Sequence, residues 1–169
     1  GQYAFAGLDA GNYWVTGPIS VDGGNYDVGT TNPVLVAVTS GTVNANAANN
    51  IGYDPDPTAV GTLTGTTYKD GNLNDIYDAG SDNTLNGVLV TVYKDDGDGV
   101  YEPGTDDALV TTATSSGGTY TVNNLVAGDY WVLGEPTSGG SLIGTPNPVP
   151  VTIPAGGTDT ADFGYDTNS

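Results

Sequence analysis

Ten of the 20 acidic residues of this chain lie between Asp70 and Asp107, and their spacing is what could do chemistry. The first set reads Asp70-Gly71-Asn72-Leu73-Asn74-Asp75-Ile76-Tyr77-Asp78-Ala79-Gly80-Ser81-Asp82. Counting Asp70 as position 1, side-chain oxygens follow at positions 3, 5 and 9, from Asn72, Asn74 and Asp78. Ile76 offers its carbonyl at position 7, and Ser81 or Asp82 closes the loop. Such alternation wraps a short loop around Ca²⁺ at roughly 2.3–2.6 Å. Oxygen donors without imidazole or thiolate select that ion over transition metals. The second set lies in Lys94-Asp95-Asp96-Gly97-Asp98-Gly99-Val100-Tyr101-Glu102-Pro103-Gly104-Thr105-Asp106-Asp107. Here Asp96, Asp98 and Glu102 have 1-3-7 spacing around Val100, and Asp106 closes from the far side. Gly97 and Gly99 permit the tight winding.

Compared with an EF-hand loop, Asp75 stands where that loop takes glycine and Ser81 replaces its bidentate glutamate, with Asp82 one residue later as a substitute. Asp, Asn and Gly also make ordinary polar turns. Against that bland reading, two acidic loops fall in one stretch, and repulsion among about ten carboxylates disfavours a compact state unless cations bind. The expectation is therefore bound Ca²⁺.

Composition excludes much else. The chain has 169 residues, no Cys, no His and no Met, and only Lys69 and Lys94 against its acids, for a formal charge of -18. Without His or Cys there is no Ser-His-Asp or Cys-His nucleophile, no zinc site of thiolates or imidazoles and no disulfide. Two lysines cannot neutralise a polyanion, so nucleic acid and anionic membrane surfaces are poor partners. No apolar run approaches a membrane span.

The elements that must position these loops announce themselves by repetition. Gly1-Gln2-Tyr3-Ala4-Phe5-Ala6-Gly7-Leu8-Asp9-Ala10-Gly11-Asn12-Tyr13-Trp14-Val15 returns without a gap as Gly118-Thr119-Tyr120-Thr121-Val122-Asn123-Asn124-Leu125-Val126-Ala127-Gly128-Asp129-Tyr130-Trp131-Val132. Asn32-Pro33-Val34-Leu35-Val36 returns as Asn147-Pro148-Val149-Pro150-Val151, and Ile51-Gly52-Tyr53-Asp54 as Phe163-Gly164-Tyr165-Asp166. Three collinear matches mark a tandem array, and such arrays mostly serve structure or binding. Residues 61–169 hold an entire unit. Residues 1–54 match its second half, and a Pro-containing linker over 55–60 joins them.

The segments read as strand throughout. Val88, Val90 and Val92 share one face and Leu89, Thr91 and Tyr93 the other; Tyr120 and Val122 point together. Further strands are expected at Gly61–Thr67, Ala108–Thr114, Pro148–Ile153 and Thr158–Tyr165. About seven short strands in ~105 residues predict an all-β fold, a two-sheet Ig-like sandwich, in one full repeat plus the second half of another.

Residues Gly61 to Asp166 resemble the B-type repeat of serine–aspartate-repeat bacterial surface proteins (SdrD B-like), within the Cna-B, prealbumin-like superfamily. The likeness rests on D-x-N-x-N-D-x-x-D at Asp70–Asp78, the Gly87–Tyr93 strand, the Asp-Gly-Asp-Gly loop running to Pro103-Gly104-Thr105-Asp106, and the Gly118–Leu125 and Gly128-Asp129-Tyr130 segments. It implies a rigid, calcium-dependent β-sandwich spacer or stalk outside the cell. Related sandwiches sometimes carry a Lys–Asn isopeptide bond; Lys69 borders the first strand, but no clear Asn stands in Thr158–Tyr165.

These readings combine into an extracellular structural repeat with no enzymatic activity. Asp70, Asn72, Asn74, Ile76, Asp78 and Asp82 would hold one Ca²⁺; Asp96, Asp98, Val100, Glu102 and Asp106 would hold another. The half repeat is read either as a unit cut in mid-repeat or as one completed by strands of a neighbour, copies of the chain then joining head to tail into a stalk or filament. The alternative is an adhesive module that binds a glycan or host protein through Trp14, Trp131 and the tyrosines. Asp95 and Asp96 as a glycosidase pair lack a neighbouring general acid of distinct environment.

Overall fold

A computed structural model describes residues 2–40 and 49–166, so the extremes of both expected repeats, Gly1 and 167–169, lie outside the described residues. The chain divides into two compact units, Gly1–Asp56 and Pro57–Ser169.

The second unit is a two-sheet sandwich. Its strands are β6 (Val60–Asp70), β7 (Asn83–Thr84), β8 (Leu89–Lys94), β9 (Ala108–Thr114), β10 (Thr119–Val126), β11 (Gly128–Gly134), β12 (Thr137–Ser138), β13 (Ser141–Ile143), β14 (Val149–Ile153), β15 (Thr158–Thr160) and β16 (Phe163–Asp166). One sheet runs β14-β11-β8-β9. The other runs β10-β6-β16-β13-β12, with β7 and β15 also on β6. The valine alternation of β8 does what period 2 predicts: Val90 and Val92, with Val88 just before the strand, are fully buried. From β10 come Tyr120, Val122 and Leu125, from β11 Tyr130 and Val132, and from the last strand Phe163 and Tyr165. Each such side chain contributes roughly 1.5–3 kcal/mol on burial. Gly65 of β6 permits close approach: a Cβ there would meet the Tyr120 ring at 2.5 Å.

Two expectations shift in detail. The first strand continues past Thr67 to Asp70, and the strand expected over 158–165 breaks at Ala161–Asp162 into β15 and β16, both parallel to β6. The 55–60 linker is taken up at its ends, Pro55 closing the preceding strand and Val60 opening β6.

The first unit contains β1 (Gly11–Val15), β2 (Ser20–Val21), a 3-10 turn at Asp22–Gly24, β3 (Tyr26–Val28), β4 (Val34–Val38) and β5 (Tyr53–Pro55). Its pairings follow those of the second unit wherever both are described. Trp14 opposes Leu35 as Trp131 opposes Pro150. Val28 opposes Tyr53 as Ile143 opposes Tyr165. The Tyr13 hydroxyl donates to the Asp9 carbonyl as that of Tyr130 does to Val126. Tyr53 likewise reaches the Pro18 carbonyl as Tyr165 reaches Glu135.

Candidate metal centre

Both acidic clusters grow out of strand register. Because β16 runs parallel to β6 with Asp166 opposite Asp70, two carboxylates arrive at the same end of adjacent strands. The loop leaving β6 passes through Leu73 (φ +58°) and Asp75 (φ +61°). This is left-handed backbone, natural to glycine and tolerated by Asp. Asp75, the residue standing where a calcium loop takes glycine, thus adopts glycine's conformation and joins the cluster. Carboxylate oxygens of Asp70, Asp75 and Asp166 lie within 4.8 Å of one another.

The buried Asp70 organises this loop. Its Oδ1 accepts from the backbone N–H of Leu73 (2.6 Å) and Asn72 (3.2 Å), and its Oδ2 from that of Asp75 (2.7 Å). Asp82, also buried, accepts from Gly71 N–H at 2.9 Å and Asp78 N–H at 2.6 Å. Asp166 Oδ1 is buried without a hydrogen-bond partner. Burial, then the charges of Asp70 and Asp75, push its carboxyl above the usual range.

The second cluster sits at the neck of a hairpin. The β8–β9 ladder ends at Lys94 opposite Ala108, so the next residues outward, Asp95 and Asp107, face each other. With Asp96, their carboxylate oxygens all fall within 4.8 Å. Asp95 Oδ1 accepts from Trp131 Nε1–H at 3.2 Å, and the Trp131 ring packs against Tyr101. Asp107 is 4% exposed; its Oδ2 accepts from Glu102 N–H at 2.7 Å, while its Oδ1 is buried with no partner. Two charges this close cost about 3 kcal/mol at an effective dielectric constant near 20. That is a large fraction of a domain's net stability.

Of the residues expected to ligate, Asp70 and Asp96 stand in the close clusters. The others shape the loops. Asn72 and Asn74 donate Nδ2–H to Asp78 Oδ2 at 3.1 and 2.8 Å, holding the Asp78 carboxyl below the usual range, Asn74 more than Asn72. The Ile76 side chain is exposed, and its N–H donates to Asn74 Oδ1. Asp98 accepts from Val100 N–H at 2.8 Å, and the Glu102 carbonyl accepts from Asp106 N–H at 3.3 Å. Asp75, Asp95, Asp107 and Asp166 were not singled out by spacing. Signals for three of them were present: the doublets Asp95-Asp96 and Asp106-Asp107 flank two strands, and Gly-Tyr-Asp recurs at Asp54 and Asp166.

The donors are all oxygen, and each cluster holds one buried carboxylate oxygen that no protein donor satisfies. Such a set fits a hard divalent cation.

The family model described as the SpaA prealbumin-like fold domain matches residues 75–165. The chain belongs to that family. This prealbumin-like chain is also similar to solved pilins. With the shaft pilin SpaA of Lactobacillus rhamnosus GG the TM-score is 0.50 at 14% identity, over 65% of this chain and 51% of the pilin. For the minor pilin of Streptococcus agalactiae the values are 0.49 and 18%, over 98% and 63%. For the major pilin SpaD of Corynebacterium diphtheriae they are 0.49 and 23%, over 67% and 33%. The prealbumin-like chain spans less than two thirds of the length of each of these pilins, and the likeness is one of fold. No curated protein matches it.

Proposed function

We propose that the chain is an extracellular, non-enzymatic structural module, a prealbumin-like spacer stiffened by Ca²⁺ and joined end to end with further repeats in a stalk or fibre. The observation that carries the reading is the pair of orphaned buried oxygens, Asp107 Oδ1 and Asp166 Oδ1, each inside a three-carboxylate cluster. Asp70, Asp75 and Asp166 would hold one ion, and Asp95, Asp96 and Asp107 another. Bound Ca²⁺ supplies the positive charge that offsets their mutual repulsion. Asp70 and Asp82 pre-shape the first loop through backbone N–H groups, and Asp166 ties it to the last strand. Asp95 and Asp107 fasten the β8–β9 neck, with Trp131 orienting Asp95. Membership of the prealbumin-like family supports the structural class, and the Asp70–Asp78 motif supports the finer likeness to serine–aspartate-repeat B domains.

Isothermal calorimetry and thermal melts with and without chelator test this. Saturable Ca²⁺ binding and a raised Tm are expected, since a ligand specific to the folded state stabilises it. An unchanged Tm with no heat of binding would refute the calcium role. Electron micrographs at millimolar Ca²⁺ test end-to-end association: only isolated particles at high concentration would count against it.

A further inference from the structure

We infer that the described residues of the first unit, 2–40 and 49–56, are an acceptor for a first-half repeat segment, one built on the frame of residues 57–116. In the complete repeat, three ladders join second-half strands to first-half strands: β10 to β6, β11 to β8 and β16 to β6. Every described ladder internal to the second half has its counterpart in the first unit: β1–β4, β2–β3 and β3–β5. The three cross-half ladders have none among the described residues. Residues 2–9, the counterpart of β10, form no strand at all.

Exposure follows the same division at the β10-like segment, although Val34 and Val36 of β4 are buried. Tyr120, Val122 and Leu125 are 4%, 8% and 3% exposed; their counterparts Tyr3, Phe5 and Leu8 are 50%, 65% and 42% exposed. Trp14 is 65% exposed, whereas Trp131 packs on Tyr101 and donates to Asp95, both first-half residues. Exposed large apolar residues, Tyr3 against Phe5 among them, beside strand edges without ladders among the described residues, mark a surface built to be covered.

The occupant is defined by what covers this face in the complete repeat. A β6-like strand would pair residues 3–8 on one side and β5 on the other, and a β8-like strand would pair β1. The second-half frame occurs twice in this chain and the first-half frame once, already engaged in β6–β9. Chemistry agrees: Asp54 occupies the place of Asp166, and a Cβ on Gly29 would strike its carboxylate as one on Gly144 would strike that of Asp166. The arriving segment's counterparts of Asp70 and Asp75 would complete a further carboxylate cluster there. That ion rests on the calcium reading above, whereas the covering of the apolar residues does not.

The test fuses a second copy of residues 57–116 ahead of Gly1 and follows amide hydrogen exchange by mass spectrometry, in chelator and in Ca²⁺. Expected are exchange slowed on the order of a hundredfold over residues 3–8 and 11–15, and a blue-shifted Trp14 emission in a Trp131→Phe background. Unchanged exchange over those residues in a soluble, folded fusion would overturn the inference. If the fusion does not fold, the native chain is titrated with a peptide of residues 57–70; protection of 3–8 supports the inference, and none refutes it. Protection of the same amides in the native chain merely by raising its concentration would support it, with a second copy supplying the segment. Calorimetry separates the two readings. Protection in chelator with no ion bound in Ca²⁺ would sink the calcium role alone; Ca²⁺ bound by the native chain without protection in the fusion would sink the acceptor alone.

Discussion

The two units carry the same second-half frame, yet in one Tyr120, Val122 and Leu125 are buried in a filled sandwich and in the other their counterparts Tyr3, Phe5 and Leu8 stand in solvent. Tyr13, Trp14 and Val15 hold the same register as Tyr130, Trp131 and Val132. The hairpins, the Asn–Pro turns and the tyrosine hydroxyl bonds recur as well. What differs is every feature that needs β6 or β8. Local pairing and turn chemistry thus recur in half a repeat whose buried apolar residues are Val34 and Val36, while among the described residues the large core and the carboxylate clusters lie where both halves meet. Ladder hydrogen bonds set the geometry, and burial of Val90, Val92, Tyr120 and Phe163 supplies the stability.

The sharpest way to break this contrast is to truncate one equivalent pair. Leu125→Ala should cost about 2–5 kcal/mol by urea denaturation, as a buried leucine does. Leu8→Ala should stay within about 0.5 kcal/mol, as surface changes do. Equal losses would mean that the first unit buries its apolar residues after all.

Ion removal comes next. For each site, Ca²⁺ at a hundredfold excess over its Kd should add about 2.7 kcal/mol. Asp107→Asn should abolish the contribution of the hairpin-neck cluster while leaving that of Asp70, Asp75 and Asp166. If Asp107→Asn and wild type gain equally from Ca²⁺, that neck holds no ion.

Alkali probes the filled sandwich through its tyrosines. Burial, the largest cause, raises the pKa of Tyr68, Tyr120 and Tyr165; nearby carboxylates add to it. Their folded pKa values exceed the unfolded value near 10. Their stabilisation is thus complete below about pH 10 and is lost as pH rises above it, because only the unfolded chain releases those protons. Tyrosinate absorbance should appear for these three together with the loss of β-sheet circular dichroism. Ionisation well before unfolding would contradict their burial.

The smallest effect separates the tryptophans. Trp131→Phe removes the bond to Asp95 and should cost about 1 kcal/mol, whereas Trp14→Phe should be nearly neutral. Acrylamide should quench Trp14 more strongly than Trp131.

Much of the fold was legible in the residues. Alternation in Val88-Leu89-Val90-Thr91-Val92 identified the buried face, and the collinear repetition accompanies strand pairings that recur in the two units. The acidic loops were visible as loops, but their close clusters were not. A spacing rule reads ligands from one contiguous loop, whereas Asp166 reaches Asp70 through a parallel pairing made across the length of the domain. Asp107 reaches Asp95 because a ladder stops one residue earlier. Asp75 enters through a left-handed backbone that side-chain counting cannot foresee. Carboxylates that look interchangeable in one dimension are thus sorted by register into those that meet and those that only brace a turn.

The parallel neighbours β6 and β16 carry one mechanical consequence. Strand β6 opens the sandwich and β16 is its last described strand, so tension entering at Val60 and leaving at Asp166 would pull the two lengthwise past each other. The ladder bonds between them would then have to fail together and not one by one. A tether assembled from such domains would resist extension up to a threshold load and give way abruptly beyond it.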